Sequence, residues 1–192
     1  MAELAQLYYF DINTTSYRAD KKRTLELVRD TFLMNAIGFG LRYSDLSRLD
    51  NSAFIGNESG FSMLQQKTGL KVTNKLDMVL FKRMFNDLQA KYPNHEVPYR
   101  GDISNYNHHL KDICKHLHKT FDDIEVIEYK VGDKIKRIER PRWKCMSSHV
   151  ARRTFITQNI LVMKNRIIDI QHAVGHKFAT TTEGYIVFGS KD

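Results

Sequence analysis

The chain has 192 residues, 42% hydrophobic and 27% charged, proportions that suit a globular protein with one good-sized core or two small ones. Thirty Lys and Arg against 22 Asp and Glu leave a formal net charge of +8, so a polyanion is the first partner to consider. The two cysteines, Cys114 and Cys145, sit in no CxxC or CxxH pattern, and no long apolar run or signal peptide is present, so a metal finger, a disulfide scaffold and a membrane span are not expected, and a reduced, cytoplasmic or otherwise intracellular home is.

No internal repeat or low-complexity tract interrupts the chain. It opens with a short helical stretch and a polar, turn-prone segment. Leu25, Val28, Phe32, Leu33, Ala36 and Ile37 then fall at helical spacing, which predicts a helix over Lys21 to Phe39, broken by Gly38 and Gly40. Another can start within Ser44 to Leu49. "SAFIG", "GFSMLQQ" and "LKVTNKL" read as three strands of a small antiparallel sheet, turning at "GNESG" and "KTG". "DMVLFKRMFNDLQAKY" is an amphipathic helix ended before Pro93, and "DISNYNHHLKDICKHLH" is another with Tyr106, Leu110, Ile113 and Leu117 on one face. Ile124 to Arg140 alternate apolar and charged residues about "VGDK", a hairpin with a charged outer face. "SSHVARRTFITQNILVM" is a helix capped by Ser147 or Ser148, "NRIIDIQHAVGH" a further helix ended at Gly175, and Thr180 to Thr182 are candidate caps for a short last helix. The fold class expected is α+β, mainly α, with a small antiparallel three-stranded sheet and a β-hairpin. A single domain is expected over residues 1–192, with 1–18 as a linker or leading segment.

The stretch "SSHVARRTF" places His149 and Arg152 three apart, on one face of a helix start, with Arg153 pointing elsewhere. A helix N-terminus favours an anion, and a guanidinium grips phosphate bidentately. Taken alone, this pair describes any solvated helix end. Other residues join it. "GFGLRYSDLSRL" sets Arg42 just after a Gly-rich break with Asp45 three residues on, "QQKTGLKVT" sets Lys67 in a hairpin turn, and "HAVGHKFATTTEGY" sets His176 after a helix-ending glycine and Tyr185 nine residues later.

Arg42, Lys67, His149 with Arg152, His176 and Tyr185, in that order, strongly resemble the catalytic domain of the tyrosine recombinases, the phage integrase family. The resemblance runs from about residue 20 to residue 188. The long histidine-bearing helix and the hairpin before "SSHVARRTF" look most like integrases of conjugative or other mobile elements. The resemblance implies the DNA breaking-rejoining fold and the following roles. Arg42 and Arg152 clamp the non-bridging oxygens of a DNA phosphodiester, and His176 donates to one of them. Tyr185 is the nucleophile and forms a 3′-phosphotyrosine. His149 is its base, and Lys67 is the acid that protonates the departing 5′-oxygen, with Lys71 of the same hairpin as a near rival. Asp45 orients the site. The implied partner is double-stranded DNA, with self-association into a tetrameric synapse when full length and no membrane. No metal or nucleotide cofactor is implied, and no P-loop is present.

Family members normally carry an N-terminal helical DNA-binding domain before this one, and a tail after the tyrosine that docks on a neighbour. The first is not expected in this chain, whose match begins almost at once, and the second is expected to be short or missing, since the chain ends seven residues after Tyr185. Three other readings stand beside this one: a type IB topoisomerase-like relaxing activity, a DNA-binding module with an idle site, and a metal-dependent nuclease using the histidine helix. For the last, His108, Asp112 and His116 share a face beside Cys114, with His109 and His118 nearby, but exposed histidines are ordinary on an amphipathic helix and no metal site is expected. His172, four residues before His176, is read as a surface residue.

Overall fold

The computed structural model describes residues 2–55, 60–75, 78–79, 81–92, 96–117 and 121–186. In chain order it contains helices α1 (Ala2–Tyr9), α2 (Ala19–Met34) and α3 (Tyr43–Leu46), and strands β1 (Phe54–Ile55), β2 (Gly60–Leu64) and β3 (Lys71–Lys75). Helices α4 (Lys82–Lys91) and α5 (Ile103–His116) follow, then strands β4 (Ile124–Val131) and β5 (Lys134–Pro141). The chain continues into α6 (Arg142–Cys145), α7 (Ser148–Leu161), α8 (Ile167–Val174) and α9 (Ala179–Glu183). The mainly helical reading with a small sheet and a hairpin is what the chain folds into. The turn at 56–59, Pro93 and His118 lie outside the described residues.

The core forms along α2. Leu25, Val28, Phe32 and Leu33 are fully buried, and so are Ala36, Ile37 and Phe39 beyond its end. The helix does not simply stop at its glycines. Asn35–Phe39 form a π-helical turn, which Gly40 closes in the left-handed region with φ 64°. Such a turn leaves backbone groups without their usual partners, and side chains take them up. Asn74 of β3 donates its Nδ2 to the carbonyls of Phe39 at 3.1 Å and Gly38 at 3.3 Å. Asn35 folds its amide over the bend, accepting the Leu41 N–H at 2.8 Å and donating to the Leu41 carbonyl at 3.0 Å. Phe39 emerges at the joint and meets Phe61 and Phe85 edge to face, at centroid distances of 5.6 and 5.4 Å.

The three-stranded sheet is an antiparallel meander, with Phe61 opposite both Phe54 and Asn74. The β4–β5 hairpin forms a second, two-stranded sheet, paired from Ile124 against Pro141 to Val131 against Lys134. Its two-residue turn has Gly132 at φ 60°, where a glycine carries no steric penalty.

Three local expectations differ from the structure. Helix α4 starts at Lys82; of the stretch read as helical ahead of it, Asp77 and Leu80 lie outside the described residues and Val79 is buried in the core. Ser147 is the N-cap residue of α7, but its side chain makes no capping bond. Instead Asn107 of α5 reaches across and accepts the Ser148 N–H at 2.8 Å. Thr180 to Thr182 lie inside α9 and do not cap it, because the helix already starts at Ala179 after Phe178. Among the described residues no helix is long and apolar enough to cross a membrane.

Candidate active site

Among the described residues Arg152 is the largest fully buried side chain. It projects from the second turn of α7 toward the left-handed glycine at the end of the π turn. Its Nη1 donates to the Gly40 carbonyl at 2.9 Å and its Nη2 to the Val174 carbonyl at 2.7 Å. Two main-chain oxygens from distant parts of the chain therefore hold the planar fork. Its Nε is buried without a hydrogen bond of normal length. Burial first, and then the positive charge of Arg42, pull the guanidinium down to about 10, while the nearby Tyr185 phenol pulls the other way.

Arg42 follows directly from the bend. It is the N-cap residue of α3, is half-buried, and donates its Nη1 to Gln65 Oε1 at 2.7 Å. Three residues on, buried Asp45 accepts the Gln66 N–H at 2.8 Å and so ties α3 to the β2–β3 hairpin. Lys67 stands at the tip of that hairpin and is exposed. The turn is closed by Gln65, whose N–H donates to the Leu70 carbonyl and whose own carbonyl accepts the Gly69 N–H, both at 2.9 Å. Lys71 is exposed at the start of β3, opposite Leu64.

Helix α8 ends at Gly175, which sits at φ 67° where a Cβ would come within 2.6 Å of the Gln65 side chain. This reversal turns His176 inward to 5% exposure. Its Nδ1 shares a hydrogen bond of 2.9 Å with Thr182 Oγ1, and its Nε2 is buried without a partner. Burial, then the charges of Arg152 and Arg42, hold the ring neutral with its pKa lowered to about 4.

Helix α9 carries Tyr185 back over the site. The Thr157 hydroxyl donates to the Tyr185 carbonyl at 3.1 Å, and the ring packs against the small apolar cluster of Phe155, Ile156, Ile170 and Val174. The Tyr185 ring lies 4.9 Å from that of His176 and 5.2 Å from that of His149, centroid to centroid. His149 is open to solvent on one side. Loss of water on its other side, then the charges of Arg152, Arg153 and Arg42, push it below the ordinary histidine range.

Arg42, His149, Arg152, His176 and Tyr185 thus form one cluster. Lys67 is joined to it only through the turn on which it rides. Arg153 and His172 are exposed, away from the buried fork. On α5, His108 lies 3.7 Å from Asp112, whose carboxylate is paired with Lys21 at 2.7 Å. Among the described residues no group of three His, Cys, Asp or Glu is placed to hold a metal ion. The residue that sequence reading missed is Gln65, which touches both Arg42 and the Val174 carbonyl. Its place just before the turn signal "KTG" gave it the look of ordinary turn vocabulary.

No protein-family model matches the sequence, and no curated protein does. Solved structures match over nearly the whole chain. XerA recombinase aligns with a TM-score of 0.52 at 19% identity, covering 92% of this chain and 61% of that one. XerH site-specific recombinase, bound to a palindromic difH substrate, aligns at 0.57 and 14% identity, covering 98% and 48%. The Tn1549 transposon integrase, in complex with circular intermediate DNA, aligns at 0.51 and 14% identity, covering 100% and 62%. This chain therefore spans from about half to three fifths of the solved chains it resembles, and across that span it has the fold of the tyrosine recombinase catalytic domain.

Proposed function

We propose that this chain is the catalytic domain of a site-specific DNA recombinase or integrase that cuts and rejoins DNA strands through Tyr185. The observation that carries the reading is His176 Nε2, buried without a partner beside the Tyr185 ring, in a cluster where the buried Arg152 guanidinium also meets that tyrosine. A neutral His176 that accepts the Thr182 hydroxyl at Nδ1 presents an N–H at Nε2. Donors fixed in a desolvated, positively charged site suit the oxygens of a phosphodiester, on which charge builds during in-line displacement.

The chemistry then follows. The Tyr185 oxygen attacks phosphorus and the bond to the 5′-oxygen breaks, leaving a 3′-phosphotyrosine. His149, kept neutral beside the ring, takes the phenolic proton. Arg42 and Arg152 stabilise the non-bridging oxygens, and Lys67 gives a proton to the departing 5′-oxygen. The reverse steps reseal the strand, and since the phosphotyrosyl bond keeps the energy of the broken linkage, resealing needs no ATP. We assign residues 1–192 to one catalytic domain acting on double-stranded DNA inside the cell, and a tetrameric synapse to the full-length protein.

Covalent capture tests the reading. The chain is mixed with a library of nicked duplexes of random sequence, and adducts are resolved on a denaturing gel. An adduct that Tyr185→Phe abolishes, with DNA affinity within about twofold of wild type, is expected. No Tyr185-dependent adduct from the whole library sinks the reading and leaves an idle binding module. Relaxation of supercoiled plasmid irrespective of the captured sequence identifies a topoisomerase-like activity instead.

A further inference from the structure

Gln65 directly follows β2 and is 2% exposed, and its side-chain oxygen and nitrogen are both engaged. Oε1 accepts from Arg42 Nη1 at 2.7 Å and from Thr68 Oγ1 at 2.9 Å. Nε2 donates to the Val174 carbonyl at 2.7 Å, the oxygen that also accepts Arg152 Nη2. The main-chain N–H and carbonyl of the same residue close the turn that bears Lys67.

We propose that Gln65 is a positioning residue that locks Arg42 and the Lys67 turn into one frame anchored on Val174. The inference rests on the recombinase reading above. An amide is the group this place requires. Its oxygen serves a guanidinium and a hydroxyl, while its nitrogen serves a carbonyl. A carboxylate would set a second acceptor against the Val174 oxygen and would hold Arg42 as an ion pair in competition with phosphate. An apolar side chain would leave Arg42 to its own rotamers and Thr68 without its acceptor. Arg42 and Lys67 touch different oxygens of the same phosphodiester, so a residue that fixes both aligns the charge clamp with the proton donor. Misplacement by about 1 Å is enough to slow a positioned reaction about 100-fold.

The experiment uses the full chain, a captured nicked duplex, and the same duplex with the bridging 5′-oxygen replaced by sulfur. Sulfur leaves as a thiolate and removes the need for the acid. Gln65→Met keeps the bulk without the amide. It should cleave ordinary DNA about 100-fold more slowly, with affinity changed by no more than about twofold. The sulfur strand should return part of that loss. In an Arg42→Ala background on the sulfur strand both routes are gone, and Gln65→Met should then cost no more than about twofold further. A full extra loss in that background, or wild-type speed for Gln65→Met alone, overturns the proposal. Thr68→Val alters only an exposed turn and keeps the test open should Gln65→Met not fold. It should slow ordinary cleavage about 10-fold and recover on sulfur, and its failure to do either also overturns the proposal. A wild-type chain without a Tyr185-dependent adduct overturns the recombinase reading itself, and the proposal with it, in a control that contains no Gln65 variant.

Discussion

Arg152 and Gln65 donate to the same oxygen: the Val174 carbonyl accepts Arg152 Nη2 and Gln65 Nε2, each at 2.7 Å. That carbonyl ends α8, one residue before Gly175 and two before His176. The fork of α7, the hairpin and the histidine turn therefore meet at one main-chain atom.

The fork is the first target. Arg152→Lys keeps the charge but cannot reach the Gly40 and Val174 carbonyls and still present a planar edge to phosphate. Cleavage should fall about 100-fold or more, and the buried Gly40 carbonyl left without its donor should cost about 1–3 kcal/mol of stability. Single-turnover cleavage and urea unfolding measure the two. A variant that cuts within about tenfold of wild type would show that charge alone suffices.

Lys67→Ala should cut ordinary DNA very slowly, because an alkoxide leaves poorly without an acid. On the sulfur-bridged strand it should recover. Arg42→Ala should not, since its defect lies on the non-bridging oxygens, which the sulfur leaves unchanged. Rescue of Lys71→Ala in place of Lys67→Ala would move the acid to Lys71.

Stability should depend on pH through His176. Its pKa is lowered from 6.5 to about 4 in the folded chain, so between those values the unfolded chain takes up a proton that the folded one refuses. The stabilisation is complete above the upper value and is lost as pH falls toward the lower one, at up to about 1.4 kcal/mol per pH unit. His149 shifts in the same direction and adds to the slope. Urea midpoints for wild type and His176→Asn, taken from neutral pH down to about pH 4.5, should converge on acidification. Parallel curves would mean that His176 does not report the transition.

Gly40→Ala should be among the most damaging small substitutions. The residue sits at φ 64°, and a Cβ there would lie 2.3 Å from the Phe155 ring. Left-handed strain together with forced repacking should cost about 3 kcal/mol in urea unfolding. A loss under about 1 kcal/mol would show that the bend relaxes freely.

Helical spacing from Leu25 to Ile37, alternation about "VGDK" and the glycine at position 175 were legible because each signal is local to its element. The candidate site residues could be picked out for the same reason, since each lies within a short run. The π turn was not, because Ala36 and Ile37 stay on the buried side whether the backbone bonds run in α or π register. The cap of α7 comes from Asn107, 41 positions away, so no inspection of "SSHV" could find it. Gln65 Nε2 finds its acceptor 109 residues along the chain, in an element whose docking only the tertiary fold determines.

The β4–β5 ribbon has a consequence for how molecules of this protein meet one another. Its sheet has two strands among the described residues, so each strand offers one outer ladder of N–H and C=O groups to any extended chain nearby. Ile135 is 72% exposed and Ile124 58%, which adds stickiness. Eight of the sixteen strand residues are nevertheless Lys, Arg or Glu, and a strand added alongside would have to set its own side chains against that fringe. Those charges guard colloidal behaviour. Replacing them by neutral residues would show as clumping at high concentration, while the melting temperature and the cutting rate would hardly move.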